Sequence, residues 1–493
     1  MSDTSQTEQE CLLLAVRCFN KGEMGQASRL AQALFASNPN HAEAVHLLGM
    51  IASRADHLDL ALRLLTLAVD LRPQQASFRL HLGEVNNRLG NSDAAEGHYR
   101  QAILLQPDFV HAHVNLGNLL FSRGENEQAM AAYRAAVRLA PDTHAALYNM
   151  GIISQEQGDH EAALQLFEQA LQAVPESALA HTAKAFSLLT LGRFQEGWQE
   201  YAWRWRLPDN APRRCAQPLW DGSDPQGKRI YLYTEQGFGD ALLFARFLEP
   251  LRQRGGYLIL ECKPELFTLF QASRLADELV VRASGDARPP DFDFDCHLPL
   301  LSLPGFFVQP DPTLAERVPY LHPDPLLCRE WQARLAPLPG LRVAICWSGN
   351  PKTGVNRQRA CTFAALHPLL RLPGISFISI QKGEPVQQMR AAPGEWNILD
   401  LDAELTDFAQ TAAVLTQVDL LISTDTSVVH LAGGLGRPVW TLLHFAAEWR
   451  WLQQRSDSPW YPSMRLFRQQ QPGDWAGVMR DVVEALATWP QPG

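Results

Sequence analysis

Three short turns carry the residue types and spacings that chemistry needs. The first, Gln236-Gly237-Phe238-Gly239-Asp240, follows the β-type run RIYLYT. Its glycines permit a tight turn and close backbone approach, and Asp240 falls at the start of the next helix. A carboxylate there faces the space beyond the strand, or simply caps the helix. The second runs from Ser348-Gly349-Asn350-Pro351-Lys352 to Arg357 and Arg359, after the apolar strand LRVAICW. Backbone amides and cations behind a buried strand suit a diphosphate, although a charged surface loop has the same composition. The third, Ser423-Thr424-Asp425-Thr426-Ser427, leads into VVHLAGGLGRP. Hydroxyls and free amides at a helix N-terminus make an anion site by geometry and dipole, and a plain capping box is the alternative. His430, one turn on from Thr426 and Ser427, is placed to face the same cleft.

Other chemistries lack their residues. There is no G-x-x-x-x-G-K-[ST], no third glycine after Gly237 and Gly239 for a dinucleotide fingerprint, and neither H-E-x-x-H nor G-x-S-x-G. The eight cysteines, at 11, 18, 215, 262, 296, 328, 346 and 361, show no C-x-x-C and no zinc spacing, so they read as reduced thiols. Asp291, Asp293 and Asp295 in DFDFD imitate a carboxylate metal set, yet a solvated strand edge alternating with Phe292 and Phe294 explains them better. No metal site is expected.

The elements that must position these turns alternate between strand and helix. RIYLYT, the amphipathic helix ALLFARFLEPLRQRG, YLILEC and a helix near 264–273 form one series. LRVAICW, ISFISIQ, VDLLIST and RPVWTLL, closed by a helix near 474–488, form another. Strands alternating with helices imply parallel sheets, whose ligands bind beyond the carboxyl ends of the strands. The reading is therefore two Rossmann-like α/β lobes, residues 229–335 and 341–493, around a cleft.

The first half is organised differently. Gly49, Gly83, Gly117 and Gly151 are spaced by 34 residues, as are Pro39, Pro73, Pro107, Pro141 and Pro175. Ala61, Ala95, Ala129 and Ala163 recur with them, as do Leu65, Tyr99, Tyr133 and Phe167, and Ala68, Ala102, Ala136 and Ala170. This is the tetratricopeptide pattern of paired helices. An α-helical solenoid is expected over residues 8–205, with five clear repeats and a cap, GRFQEGWQEYAWRW, whose Trp198, Tyr201, Trp203 and Trp205 dock on the next domain. Residues 206–228 form a Pro- and Gly-rich linker. Such a solenoid presents a groove to a partner rather than chemistry of its own. Asn115 and Asn149, equivalent in successive repeats, and Asn118, one turn from Asn115, line that groove and could hold the backbone of an extended polypeptide, or simply be solvated.

Bulk properties agree. In 493 residues, 46% hydrophobic and 19% charged, several folded modules fit, and a net charge of −10 argues against nucleic acid or an anionic membrane as the main partner. No stretch approaches the roughly 18 apolar residues of a membrane span, and the N-terminus MSDTSQTEQE lacks a signal peptide's features, so the expected compartment is the cytoplasm.

The three turns, in this order on two lobes, make residues 229–488 resemble the glycosyltransferase family 9 group, the heptosyltransferase-like enzymes of GT-B fold. EQGFGD is similar to that family's first-lobe motif, which implies Asp240 as the base. STDTSVVHLAGGLGRP is similar to its donor motif, which implies Asp425, Thr426, Ser427 and His430 at the nucleotide-sugar. WSGNPKTGVNRQR lies where the family places residues on the donor phosphates, here Ser348, Asn350, Arg357 and Arg359. The whole chain further resembles bacterial proteins that carry tetratricopeptide repeats before this domain, with GRFQEGWQEYAWRW and EWRWLQQRSDSPWYPSMRLFRQ typical of them. The resemblance implies inverting transfer of a sugar from a nucleotide-sugar co-substrate, with no cofactor and no metal. The acceptor is expected to be a protein held in the repeat groove, such as a flagellin or other surface protein. A glycolipid or lipopolysaccharide acceptor is one alternative, and a scaffold with a decayed transferase domain is another.

Overall fold

The computed structural model describes residues 2–210, 213, 215–282, 291–307, 317–352, 359–394 and 396–489. The chain divides into two compact units, Met1–Ala180 and His181–Gly493.

The first unit is a run of helical hairpins. Its helices are α1 Ser2–Asn20, α2 Met24–Ser37, α3 Ala42–Arg54, α4 Leu58–Leu71, α5 Ala76–Arg88, α6 Ser92–Leu105, α7 Val110–Ser122, α8 Asn126–Leu139, α9 His144–Glu156 and α10 His160–Ala173. The 34-residue period has a direct steric cause. A β-carbon on Gly49 would lie 2.7 Å from Leu65, on Gly83 2.6 Å from Tyr99 and on Gly117 2.5 Å from Tyr133, so each hairpin closes a large side chain onto bare backbone. Those three side chains and the recurring alanines at 61, 95, 129 and 163 are buried. A second set with the same period was not read from the sequence. Gly22, Gly90, Gly124 and Gly158 all turn between helices at positive φ, and Asp56 takes the same left-handed conformation in its repeat (φ 61°). Asp tolerates that region better than most residues, which lets the series skip a glycine.

The second unit opens with most of helix α11 (Ala178–Thr190) and with α12 (Phe194–Tyr201), which continues as a 3₁₀ turn to Arg206. These elements share a core with the α/β elements. Trp198 packs edge-on against Phe244 (5.8 Å between centroids) and Trp449 (5.3 Å), and Phe194 against Trp460 (5.6 Å). Trp203 instead stacks on His181 at 3.8 Å, and Arg204 lies over the Trp205 ring. Residues 218–220 run beside strand β4 (Cys296–Pro299), with the Trp220 amide donating to the His297 carbonyl at 2.8 Å.

Two parallel sheets follow. One has the order β3-β2-β1-β4, with β1 Arg229–Tyr233, β2 Tyr257–Cys262 and β3 Glu278–Val281. The other has the order β10-β9-β8-β5-β6-β7, with β5 Leu341–Cys346, β6 Ile375–Ser379, β7 Ile398–Asp400, β8 Leu420–Thr424, β9 Val439–Leu443 and β10 Met464–Arg468. Here the chain winds one way from β5 through β6 and β7, and the other way from β8 through β10. The switch point between β5 and β8 is where open α/β sheets leave a crevice for ligands. The stretch 241–253, expected as one amphipathic helix, is instead α13 (Phe238–Phe244), a 3₁₀ turn and a short helix Leu248–Gln253. Residues 241–248 are all buried, so there is no solvent face to give an amphipathic period. Arg246 lies inside this segment among the Tyr320, Trp460 and Tyr461 rings and donates to the Trp460 carbonyl at 2.9 Å.

DFDFD leaves its aspartates exposed and Phe294 buried, and Asp295 accepts the Arg229 amide at 2.7 Å, so the segment is a solvated edge. Among the described residues no helix is long and apolar enough to cross a membrane.

Candidate functional site

A cavity of about 470 Å³ in the second unit is lined by the turn after β1, the turns after β5 and β8, and the segment 448–450. Its size is within the range of small-molecule sites. Of the residues singled out in the sequence, Gly237, Gly239, Asp240, Asn350, Arg359, Asp425, Thr426, Ser427 and His430 line it. Ser348 does not. It is buried beneath the turn, where its amide and that of Trp347 both donate to the Gln381 side-chain oxygen at 2.9 and 3.0 Å, so it shapes the loop that presents Asn350. Arg357 lies outside the described residues.

Each turn is fixed by its surroundings. Gly237 precedes α13, and its amide donates to Oδ2 of Asp240 at 3.2 Å, which aims the carboxylate back across the helix start. Lys263 donates to the Gln236 carbonyl at 2.8 Å, and the Gln236 amide group donates to the Tyr201 hydroxyl at 3.1 Å. Thr426 holds the N-cap position of the helix Ser427–Gly434 in extended backbone without a side-chain capping bond, its hydroxyl lying 3.2 Å from that of Ser423. The two motifs touch: a β-carbon on Gly239 would meet the His430 ring at 3.0 Å and the Ser427 α-carbon at 3.6 Å.

His430 is held as a neutral imidazole. Burial pushes its pKa down to about 3 against the pull of Asp425. Its ring stacks on Trp451 (5.2 Å, 15°), and Nδ1 lies 3.1 Å from the Tyr461 hydroxyl. It therefore presents a ring edge to the cavity rather than a charge.

The charges come from a ladder of ions that the sequence reading did not assemble. Asp240 pairs with Arg450, Arg450 with Glu448, and Glu448 with Arg359, whose Nε stands 3.7 Å from Oδ2 of Asp425. Burial is the largest influence on Asp425 and alone would raise its pKa, but Arg359 together with the smaller contributions of its other neighbours, Trp451 and Arg450 among them, outweighs it and holds the group below the ordinary carboxylate range. Glu448 and Arg450 stand in EWRWL, and their only local signal is charge set among tryptophans that turn out buried. Beside the ladder, but not on the cavity wall, Glu235 takes a 3.0 Å bond from Arg204, and burial pushes its carboxyl up to about 7.

The three asparagines expected to line a groove belong to the first unit. Asn118 accepts from the Tyr133 hydroxyl and from Asn149, both at 2.8 Å, while Asn115 donates to Glu84 at 2.8 Å. Asn118 and Asn149 are thus linked across successive repeats, while Asn115 is tied to Glu84 of the repeat before it.

Residues 46–103, 82–143 and 144–177 match family models described as tetratricopeptide repeat. The protein FlbA of Caulobacter vibrioides is 32% identical over 336 residues, covering 63% of this chain and 55% of FlbA, so the chain spans about half the length of that relative. Among solved structures, MamA is 24% identical over 33% of this chain and 96% of its own (TM-score 0.31). YrrB, titled a tetratricopeptide protein with an unusual peptide-binding site, is 20% identical over 35% and 90% (TM-score 0.31), and PilF of Pseudomonas aeruginosa 15% over 42% and 94% (TM-score 0.40).

Proposed function

We propose that the second unit is a glycosyltransferase of the GT-B, family 9 kind that moves a sugar from a nucleotide-sugar to an acceptor hydroxyl. The observation that carries this reading is the meeting of the Asp240 turn and the Thr426 helix start at one cavity, with two arginines between them. Asp240 accepts the proton of the acceptor hydroxyl as its oxygen bonds the anomeric carbon. The bond from that carbon to the donor phosphate breaks on the opposite side, which inverts the centre. The departing phosphate is stabilised by the amides of Thr426 and Ser427 at the helix start and by Arg359 or Arg357. Asn350 and Asp425 position the donor, Gly237 and Gly239 let the first-lobe backbone approach, and no metal takes part. Asn115, Asn118 and Asn149 hold a polypeptide acceptor, a flagellin or other surface protein, in the repeat groove.

A thermal-shift screen against UDP, GDP, ADP, CMP, dTDP and their common sugar conjugates tests it, since a ligand that binds only the folded state raises stability by mass action. All thirteen tryptophans lie between Trp198 and Trp489, so tryptophan fluorescence follows the second unit. Stabilisation by one nucleotide family, weakened by Thr426→Ala with Arg359→Ala, is the expected result. No shift with any nucleotide refutes the transferase reading.

A further inference from the structure

Among the described residues the charged lining of the cavity is balanced. Asp240, Asp425 and Glu448 face Lys263, Arg359 and Arg450. A diphosphate brings at least two negative charges, and entering a balanced cavity it would leave an excess of anions in a partly dehydrated space. Some carboxylate must give way.

Glu448 is the one built to do so. Asp240 is tied to the Gly237 amide and Asp425 is buried, whereas the Glu448 side chain is 32% exposed and stands just before the turn Trp449–Trp451. The turn itself is anchored by buried tryptophans, so the carboxylate can rotate to water without moving the backbone. Glu448 also occupies the position of an anionic ligand, because it bridges Arg359 and Arg450 as a phosphate pair would. It satisfies the two guanidiniums incompletely. Nε of Arg450 and Nε of Arg359 are both buried without a hydrogen bond among the described residues, that of Arg359 standing 3.7 Å from Oδ2 of Asp425. A diphosphate has more acceptor oxygens than one carboxylate and can reach donors that Glu448 leaves unmet.

We propose that Glu448 is a resident stand-in for the donor diphosphate: a nucleoside diphosphate binds by displacing it from Arg359 and Arg450, and drawing Arg450 onto phosphate releases Asp240 to accept a proton. This rests on the donor reading above and adds Arg450 as a phosphate ligand and Glu448 as its competitor. Displacement makes the described lining more positive by one charge when the phosphates arrive. It also couples the steps, because Asp240 stays paired until the donor is in place.

The test is calorimetric titration of the full chain with inorganic pyrophosphate and with UDP, GDP, ADP, CMP and dTDP, in wild type, Glu448→Gln, Glu448→Ala and Arg450→Gln, each checked for cooperative melting by tryptophan fluorescence. Removing a competitor that fills the site most of the time raises apparent affinity by the inverse of the free fraction, so both Glu448 variants should bind about tenfold tighter, and Arg450→Gln weaker. Tighter binding cannot come from structural damage. If wild type binds a nucleotide and both Glu448 variants bind it equally or more weakly, the stand-in role is overturned and the donor reading survives. If pyrophosphate and every nucleotide fail to bind any of the four proteins, both fall together.

Discussion

The imidazole of His430 stands 3.0 Å from where a β-carbon on Gly239 would fall, so any larger residue at this glycine of the first motif presses on the histidine of the second. His430 cannot step aside, because Tyr461 and Trp451 hold it on its other faces. Gly239→Ala should therefore cost about 1–3 kcal/mol of stability in the second unit, as overpacking does. Urea unfolding followed by tryptophan fluorescence measures it. A neutral result would mean that the two lobes separate freely at this contact.

Asp240→Asn keeps the shape of the side chain and its bond from Gly237 but removes the proposed proton acceptor. Loss of a general base lowers turnover by about 10²–10⁴-fold, so sugar transfer should fall by that order while nucleotide binding is retained or tightened, since Arg450 loses a competing carboxylate. Unchanged turnover would move the proton to another group.

Buried His430 carries an acid liability. Its folded pKa is pushed down to about 3 from an ordinary value of 6.5, so between those values the unfolded chain binds a proton that the folded chain does not. The stability gained by keeping it neutral is complete above about pH 6.5 and is lost as pH falls towards 3. His430→Gln removes this term, so the gap in unfolding free energy between wild type and variant should shrink steadily from pH 7 to pH 4. A gap of constant size would show that His430 is reached by protons without unfolding.

What the sequence discloses depends on whether the cause is local. The 34-residue period is visible because each hairpin needs its own glycine against its own large residue, as Gly83 needs Tyr99. Strands such as β5 and β8 are visible because they are buried on both faces and read as apolar runs. β7 has three residues and β4 four, too short to leave a pattern. The ion ladder is invisible for a different reason: Asp240 and Arg450 are 210 residues apart, and no spacing rule joins a helix start to a loop after another sheet. The motif glycines and hydroxyls were legible as candidates because helix starts have fixed chemistry. That Gly239 abuts His430, and that Ser348 serves Gln381, emerges only from packing.

Glu235 titrates in the opposite sense to His430. Its side chain is 11% exposed and its Oε2 has no hydrogen-bond partner among the described residues. Burial raises its pKa from 4.5 to about 7, although Arg204 pulls downwards, and Asp240 adds to the rise. Between those two values the folded chain holds a proton that the unfolded chain has released, so the contribution of Glu235 is fully present below about pH 4.5 and is lost as pH rises through 7. Glu235→Gln imitates the protonated acid at every pH and keeps an oxygen for Arg204. Relative to wild type the variant should gain stability as pH rises from 4.5 to 8, by an amount on the order of 3 kcal/mol if the whole shift is expressed. The measurement is urea unfolding by tryptophan fluorescence at pH 5 and pH 8 for both proteins. If the difference between them is the same at both values, Arg204 keeps Glu235 ionised throughout and the buried pair behaves as an ordinary ion pair; if it widens in favour of the glutamine, a neutral acid stands beside Asp240 at the edge of the cleft.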